Sequence, residues 1–154
     1  MGRRLEELNR LEVRSSWSSV AFSGLREAAR FTIMIQTDAD KTKNVLHITY
    51  AQRVGPEEAK RATETIQRLL GDLTPGFRLL ANLSGLEEMD LACVPHIKKI
   101  MDLCNKQGVE TIVRVIPDPQ KDIGLNILSL FHYRRRVRIV TCETLEEAMR
   151  ALAC

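Results

Sequence analysis

A hydrolytic site needs a nucleophile, a base and an acid within reach of one another. The chain offers the first and last in one stretch: Ser84 precedes Gly85, and Asp90 follows a few residues on. The base is missing from the pattern. None of the three histidines, His47, His96 and His132, stands at a spacing that names a general base for Ser84. There is no nucleophile elbow, no Walker phosphate loop and no dinucleotide fingerprint. Ser84 and Gly85 then have the simpler role of shaping a turn.

Metal chemistry fares no better. Cys93, Cys104, Cys142 and Cys154 form no C-x-x-C pair, and no histidine lies at ligand spacing from any of them. Asp38, Asp40, Glu87, Glu88 and Asp90 lack the spacing of a calcium loop. We therefore expect no catalytic residues, no metal and no cofactor. Cys93 and Cys104 fall in a helical pattern and read as small core hydrophobes. The densest basic run is Arg134, Arg135, Arg136 and Arg138. A net charge of +3 and 5% aromatic residues argue for a solvated connection there and against a nucleic-acid face.

The elements that would position these residues belong to one domain with a short appendage, given 154 residues with 44% hydrophobic and 28% charged. No run approaches the roughly 20 apolar residues of a membrane span, and no stretch reads as a secretory signal. A cytoplasmic location with reduced thiols is the expectation. Residues 1–30 differ from the rest: they hold six Arg, four Glu and no Lys, with serines at Ser15, Ser16, Ser18, Ser19 and Ser23. Leu5, Leu8 and Leu11 could mark one short helical face, too short to stand alone in water. We expect an appendage over 1–30 and the working domain over 31–154.

Within that domain, residues 31–36 and 45–50 read as two strands joined by a polar turn over 37–44, a hairpin with a loop longer than two residues. Gly55, Pro56, Glu57 and Glu58 open a helix whose inward face is Ala59, Ala62, Ile66, Leu69 and Leu70, with Gly71 as its stop. Residues 77–81 form a short apolar strand. Residues 82–93 (NLSGLEEMDLAC) then read as strand end, polar loop and helix start. The next helix carries Ala92, Cys93, Ile97, Ile100, Met101 and Cys104 inward. Pro95 confines its start to Ala92 or later, and Gly108 ends it. Residues 109–116 are the strongest strand, rich in β-branched side chains. Asp118 and Pro119 open a further helix with Ile123, Ile127, Leu130 and Phe131 inward. Residues 137–140 form a last strand. Thr144 and Glu147 make a capping box for a final helix whose inward face is Leu145, Ala148, Met149 and Leu152. About five strands and four helices follow, in the order β-β-α-β-α-β-α-β-α. This predicts an α/β fold with a mixed sheet: a hairpin start, then right-handed parallel crossovers.

The run from Arg78 to Asp90, the amphipathic helix after it, the strand after Gly108, and the ending from Val137 to Ala148 together resemble the STAS domain. That is the family of bacterial anti-sigma-factor antagonists, stressosome proteins and the cytoplasmic tails of sulfate transporters. The resemblance covers about residues 31–152. It implies a STAS-like fold and a regulatory, protein-binding role in signal transduction. In the family the loop reads Asp-Ser-Ser-Gly or Asp-Thr-x-Gly, and a kinase-like anti-sigma factor phosphorylates a hydroxyl there. The added phosphate places nearly two negative charges at an interface and breaks the complex. In this chain Asp90 matches the family aspartate, Leu91 and Ala92 match the hydroxyl positions, and Cys93 matches the glycine. The switch-equivalent loop therefore lacks its hydroxyls, and Ser84 is the nearest one left.

The resemblance implies a partner-binding surface at Ser84, Asp90, Leu91, Ala92 and Cys93. Its partner would be an anti-sigma factor or a kinase-like or stressosome-type protein. A homodimer through a sheet edge or the N-terminal segment is a further expectation, with neither nucleic acid nor a membrane span involved. Two other classes compete. A helix N-terminus beside this loop could receive a nucleotide, lipid head group or anion, and an α/β scaffold can also carry an enzyme.

Overall fold

The computed structural model describes residues 34–118 and 136–153. The elements expected over residues 1–30, over 118–131 and at residues 31–33 fall wholly or largely outside those ranges, as do His132, Arg134, Arg135 and Cys154.

Strand β1 (Ile35–Asp40) and strand β2 (Val45–Val54) form an antiparallel hairpin joined by a four-residue turn over 41–44. Asn44 takes a positive φ of 58° in that turn, a conformation asparagine tolerates better than most residues. Helix α1 (Pro56–Leu70) starts as the sequence signals it should. Pro56 is at its first position, and the Glu58 carboxylate accepts the Gly55 backbone N–H at 3.0 Å. Strand β3 (Arg78–Met89) follows, then a 3-10 turn over Leu91–Cys93 and helix α2 (Val94–Gln107). Gly108 ends α2 in the left-handed region (φ 92°). The positive φ favours glycine, and a Cβ there would also lie 3.1 Å from the Pro75 side chain, which would have to give by a few tenths of an ångström. Strands β4 (Thr111–Val115) and β5 (Arg138–Cys142) lead to helix α3 (Leu145–Ala153). Its capping box is present: Glu147 N–H donates to Thr144 Oγ1, and Thr144 N–H donates to Glu147 Oε1, both at 3.2 Å.

The five strands lie in chain order β1-β2-β3-β4-β5, with every pair after the hairpin parallel. Crossovers of one hand that step in one direction put their helices on one face. Accordingly α1 and α2 share a core with Leu46, Ile48 and Tyr50 of β2, Leu79, Ala81 and Leu83 of β3, and Ile112 of β4. Phe77 is fully buried in the same core. On the opposite face α3 sets Ala148 and Leu152 against Val45, Leu80, Val113, Val115 and Cys142. Arg78, at the base of β3, ties that helix down. Its guanidinium donates to the Leu152 carbonyl and, at 2.9 Å, to the Lys43 carbonyl.

The mixed α/β architecture is the expected one, with three α-helices among the described residues. Four details differ. The first strand begins near Ile35 and takes in residues read as a turn. Its polar side chains alternate outward while Ile35, Thr37 and Ala39 share the core face through their pairing with Tyr50, Ile48 and Leu46. β2 also runs on to Val54. The third strand does not stop at Ala81 but continues to Met89, because its pairing with β2 continues. The last helix buries only one side of its predicted face: Leu145 and Met149 are 46% and 47% exposed.

Candidate partner-binding surface

The two halves of β3 have different neighbours. From Arg78 to Asn82 it pairs with both β2 and β4. Beyond Asn82 the β4 pairing ends, and β2 and β3 continue as a ribbon to Val54 and Met89. The ribbon carries two irregularities. Thr49 pairs with Asn82 and Ala51 with Gly85, so β3 holds one extra residue there; Gln52 with Leu86 and Arg53 with Glu88 give a second. Gln52 sits at the second with a φ of 56°, a left-handed conformation that strains a residue with a side chain.

At the end of the ribbon the chain is pinned before it turns into α2. Asp90 N–H donates to the Val54 carbonyl at 3.0 Å, and Asp90 Oδ1 accepts the Ala92 N–H at 2.8 Å. The Asp90 carbonyl accepts the Cys93 N–H at 2.9 Å, closing the 3-10 turn. Cys93 is fully buried and its Sγ lies 3.5 Å from the Val54 carbonyl. Burial, and next the Asp90 carboxylate, push its thiol above the ordinary range, so it stays protonated and inert near neutrality. With Cys93 filling the underside, Leu91 points into solvent. It is 84% exposed, more than Leu145 or Met149. Ala92 and Pro95 are exposed beside it. Helical periodicity had placed Ala92 inward. The 3-10 turn rotates it out, because a tighter turn breaks the 3.6-residue phase ahead of Pro95.

The five expected site residues therefore separate. Asp90, Leu91 and Ala92 form one projecting tip, and Cys93 supports it from beneath. Ser84 is in the ribbon, up to about 20 Å away along the strand. Its hydroxyl donates to Asn82 Oδ1 at 2.6 Å, and its N–H donates to the same oxygen at 3.0 Å. His47 stands beside Leu80 in the register and not beside Ser84. The exposed carboxylates Glu87 and Glu88 flank the tip. Glu88 faces Arg53 at 3.6 Å, an exposed ion pair that contributes little to stability. Among the described residues no cluster of histidine, cysteine or carboxylate groups could hold a metal ion.

Tyr50 and Arg114 are buried, and the sequence reading singled out neither. Tyr50 and Arg114 border a cavity whose other walls include Ile48, Leu79, Ile97 and Met101, between the sheet and α2. Arg114 Nη2 donates to Thr141 Oγ1 at 3.1 Å. Burial pushes the Tyr50 phenol well above its usual range. The signal was present in the sequence: an arginine flanked by Val113 and Val115 in a strand rich in β-branched residues.

No family model matches the sequence, and no curated protein matches it. Solved structures do match. A protein from Shewanella loihica, of the DUF3478 family with a SpoIIAA-like fold, superposes with a TM-score of 0.59 at 13% identity over 77% of this chain and 91% of that one. The anti-sigma factor antagonist SpoIIAA in its unphosphorylated form gives 0.55 at 16% identity, over 77% and 97%. The phosphorylated form of the Bacillus protein gives 0.54. A chain of the complex of the diguanylate cyclase SiaD with its activator SiaC, from Pseudomonas aeruginosa, gives 0.50 at 12% identity, over 70% and 91%. At these identities the likeness is one of fold: the domain has the STAS-like, SpoIIAA-like fold.

Proposed function

We propose that this domain is a non-catalytic regulatory module that docks on another protein through the tip at Asp90, Leu91 and Ala92. The observation that carries this is Leu91, a large apolar side chain 84% exposed on a turn held by three backbone and side-chain hydrogen bonds around Asp90. An apolar anchor on a pre-organised turn loses little conformational entropy on binding. The folds it resembles include an anti-sigma factor antagonist and a chain of an activator–cyclase complex. An anti-sigma factor or a kinase-like or stressosome-type protein is accordingly the kind of partner we propose.

With leucine and alanine where the family carries hydroxyls, the tip binds constitutively or is controlled elsewhere. Ser84 does not replace the lost hydroxyls, because it belongs to the ribbon. Its hydroxyl bonds to an amide oxygen that cannot act as a base, which supports a role without catalysis. A ligand anion at this helix start would have to displace the Asp90 carboxylate, which already takes the Ala92 N–H. Among the described residues no helix is long and apolar enough to cross a membrane; a cytoplasmic location is part of what we propose.

The test is a two-hybrid or pull-down survey with the full chain, repeated with Leu91→Asp and Ala92→Glu. The expected result is a partner lost on both substitutions while each variant keeps the wild-type melting curve. A partner that binds both variants as well as the wild type would overturn the assignment of the tip, and a survey with no partner at all would overturn the docking role.

A further inference from the structure

We draw no further inference here: the strongest candidate, the apolar cavity between the sheet and α2 that Tyr50 and Arg114 border, holds only about 40 Å³, room for a few waters at about 10–15 Å³ each and not for a ligand.

Discussion

From Arg78 to Asn82, β3 lies between two parallel neighbours and has core on both faces. From Leu83 to Met89 it runs on along β2 past the last β4 pair, carries two bulges, and leads through Asp90 to the exposed Leu91 of the 3-10 turn. The first half is regular because both of its faces are buried, and a slip of one residue would turn every apolar side chain the wrong way. The second half tolerates irregularity, and there the strand puts side chains where another molecule can meet them. One strand thus divides into a part that holds the domain together and a part that presents a surface. If that division is right, substitutions should sort cleanly into those that change stability and those that change binding.

The largest expected effect lies at the base. Phe77 is completely buried where the chain enters β3. Phe77→Ala should cost roughly 3–5 kcal/mol, a large part of a domain's total stability. Urea denaturation would measure it. A loss below about 1 kcal/mol would mean that the core does not rest on this half of the strand. Leu91→Asp is the counterpart at the tip. The unfolding free energy should stay within about 0.5 kcal/mol of wild type. Partner affinity should fall by about 2 kcal/mol or more, near thirtyfold, as for an apolar anchor at the centre of an interface. If Leu91→Asp instead lowers stability as Phe77→Ala does, the two halves are not separate.

Next in size is Gly108→Ala. Its positive φ and the 3.1 Å approach to Pro75 should together cost about 1–3 kcal/mol, read as a lower thermal midpoint. Partner binding by the folded fraction should not change, because Gly108 closes α2 at the end away from the tip.

A pH series probes the core beneath the sheet, on which the regular half of β3 rests. Burial raises the Cys104 thiol from 9.0 to about 12. Above pH 9 the unfolded chain loses this proton while the folded domain keeps it. The unfolded state then binds fewer protons, so stability falls with rising pH, on the order of 1 kcal/mol per unit for this group. The fall levels off near pH 12, where the folded thiol ionises as well. Tyr50 acts in the same direction. Urea midpoints at pH 8 and pH 10 should therefore differ, and by less in Cys104→Ala. An equal drop in both proteins would remove Cys104 from the account.

The regular half of the fold was legible for a physical reason. Periodicity survives where burial enforces it, so α1, α2, β4 and the capping box at Thr144 and Glu147 emerged from spacing and end signals alone. β3 past Asn82 did not. Leu79, Ala81 and Leu83 alternate, but the next buried leucine is Leu86, three residues on, because the bulge inserts one residue. A period of two with an insertion, across Ser84, Gly85, Glu87 and Glu88, looks like a loop. β1 was shifted for a related reason: its outward side chains are Gln36, Asp38 and Asp40, which read as turn residues when their partner strand is unknown. At the tip the residue types are read directly from the sequence: Asp90, Leu91 and Ala92 carry no hydroxyl. For Ala92 the sequence supports two answers, inward by helical spacing and exposed in the binding loop by the resemblance, and the 3-10 turn that decides for exposure follows from no spacing rule.

The smallest expected effect probes whether the ribbon's irregularity serves the tip. Gln52 holds a left-handed conformation at the second bulge, for which a residue with a Cβ is strained by roughly 1–2 kcal/mol. Glycine removes that strain but brings back about 0.5–1 kcal/mol of unfolded-state entropy. Gln52→Gly should therefore change stability by between nothing and a gain of about 1.5 kcal/mol, at most a small rise in the thermal midpoint. If the bulge merely ends the sheet, partner affinity will not move. If it sets the angle at which Val54 pins Asp90, a more pliant residue two positions before Val54 should weaken binding even as the fold gains stability. Opposite signs for stability and affinity in one variant would tie the ribbon's geometry to recognition. A gain in both would mean that the tip is set by Asp90 and Cys93 alone.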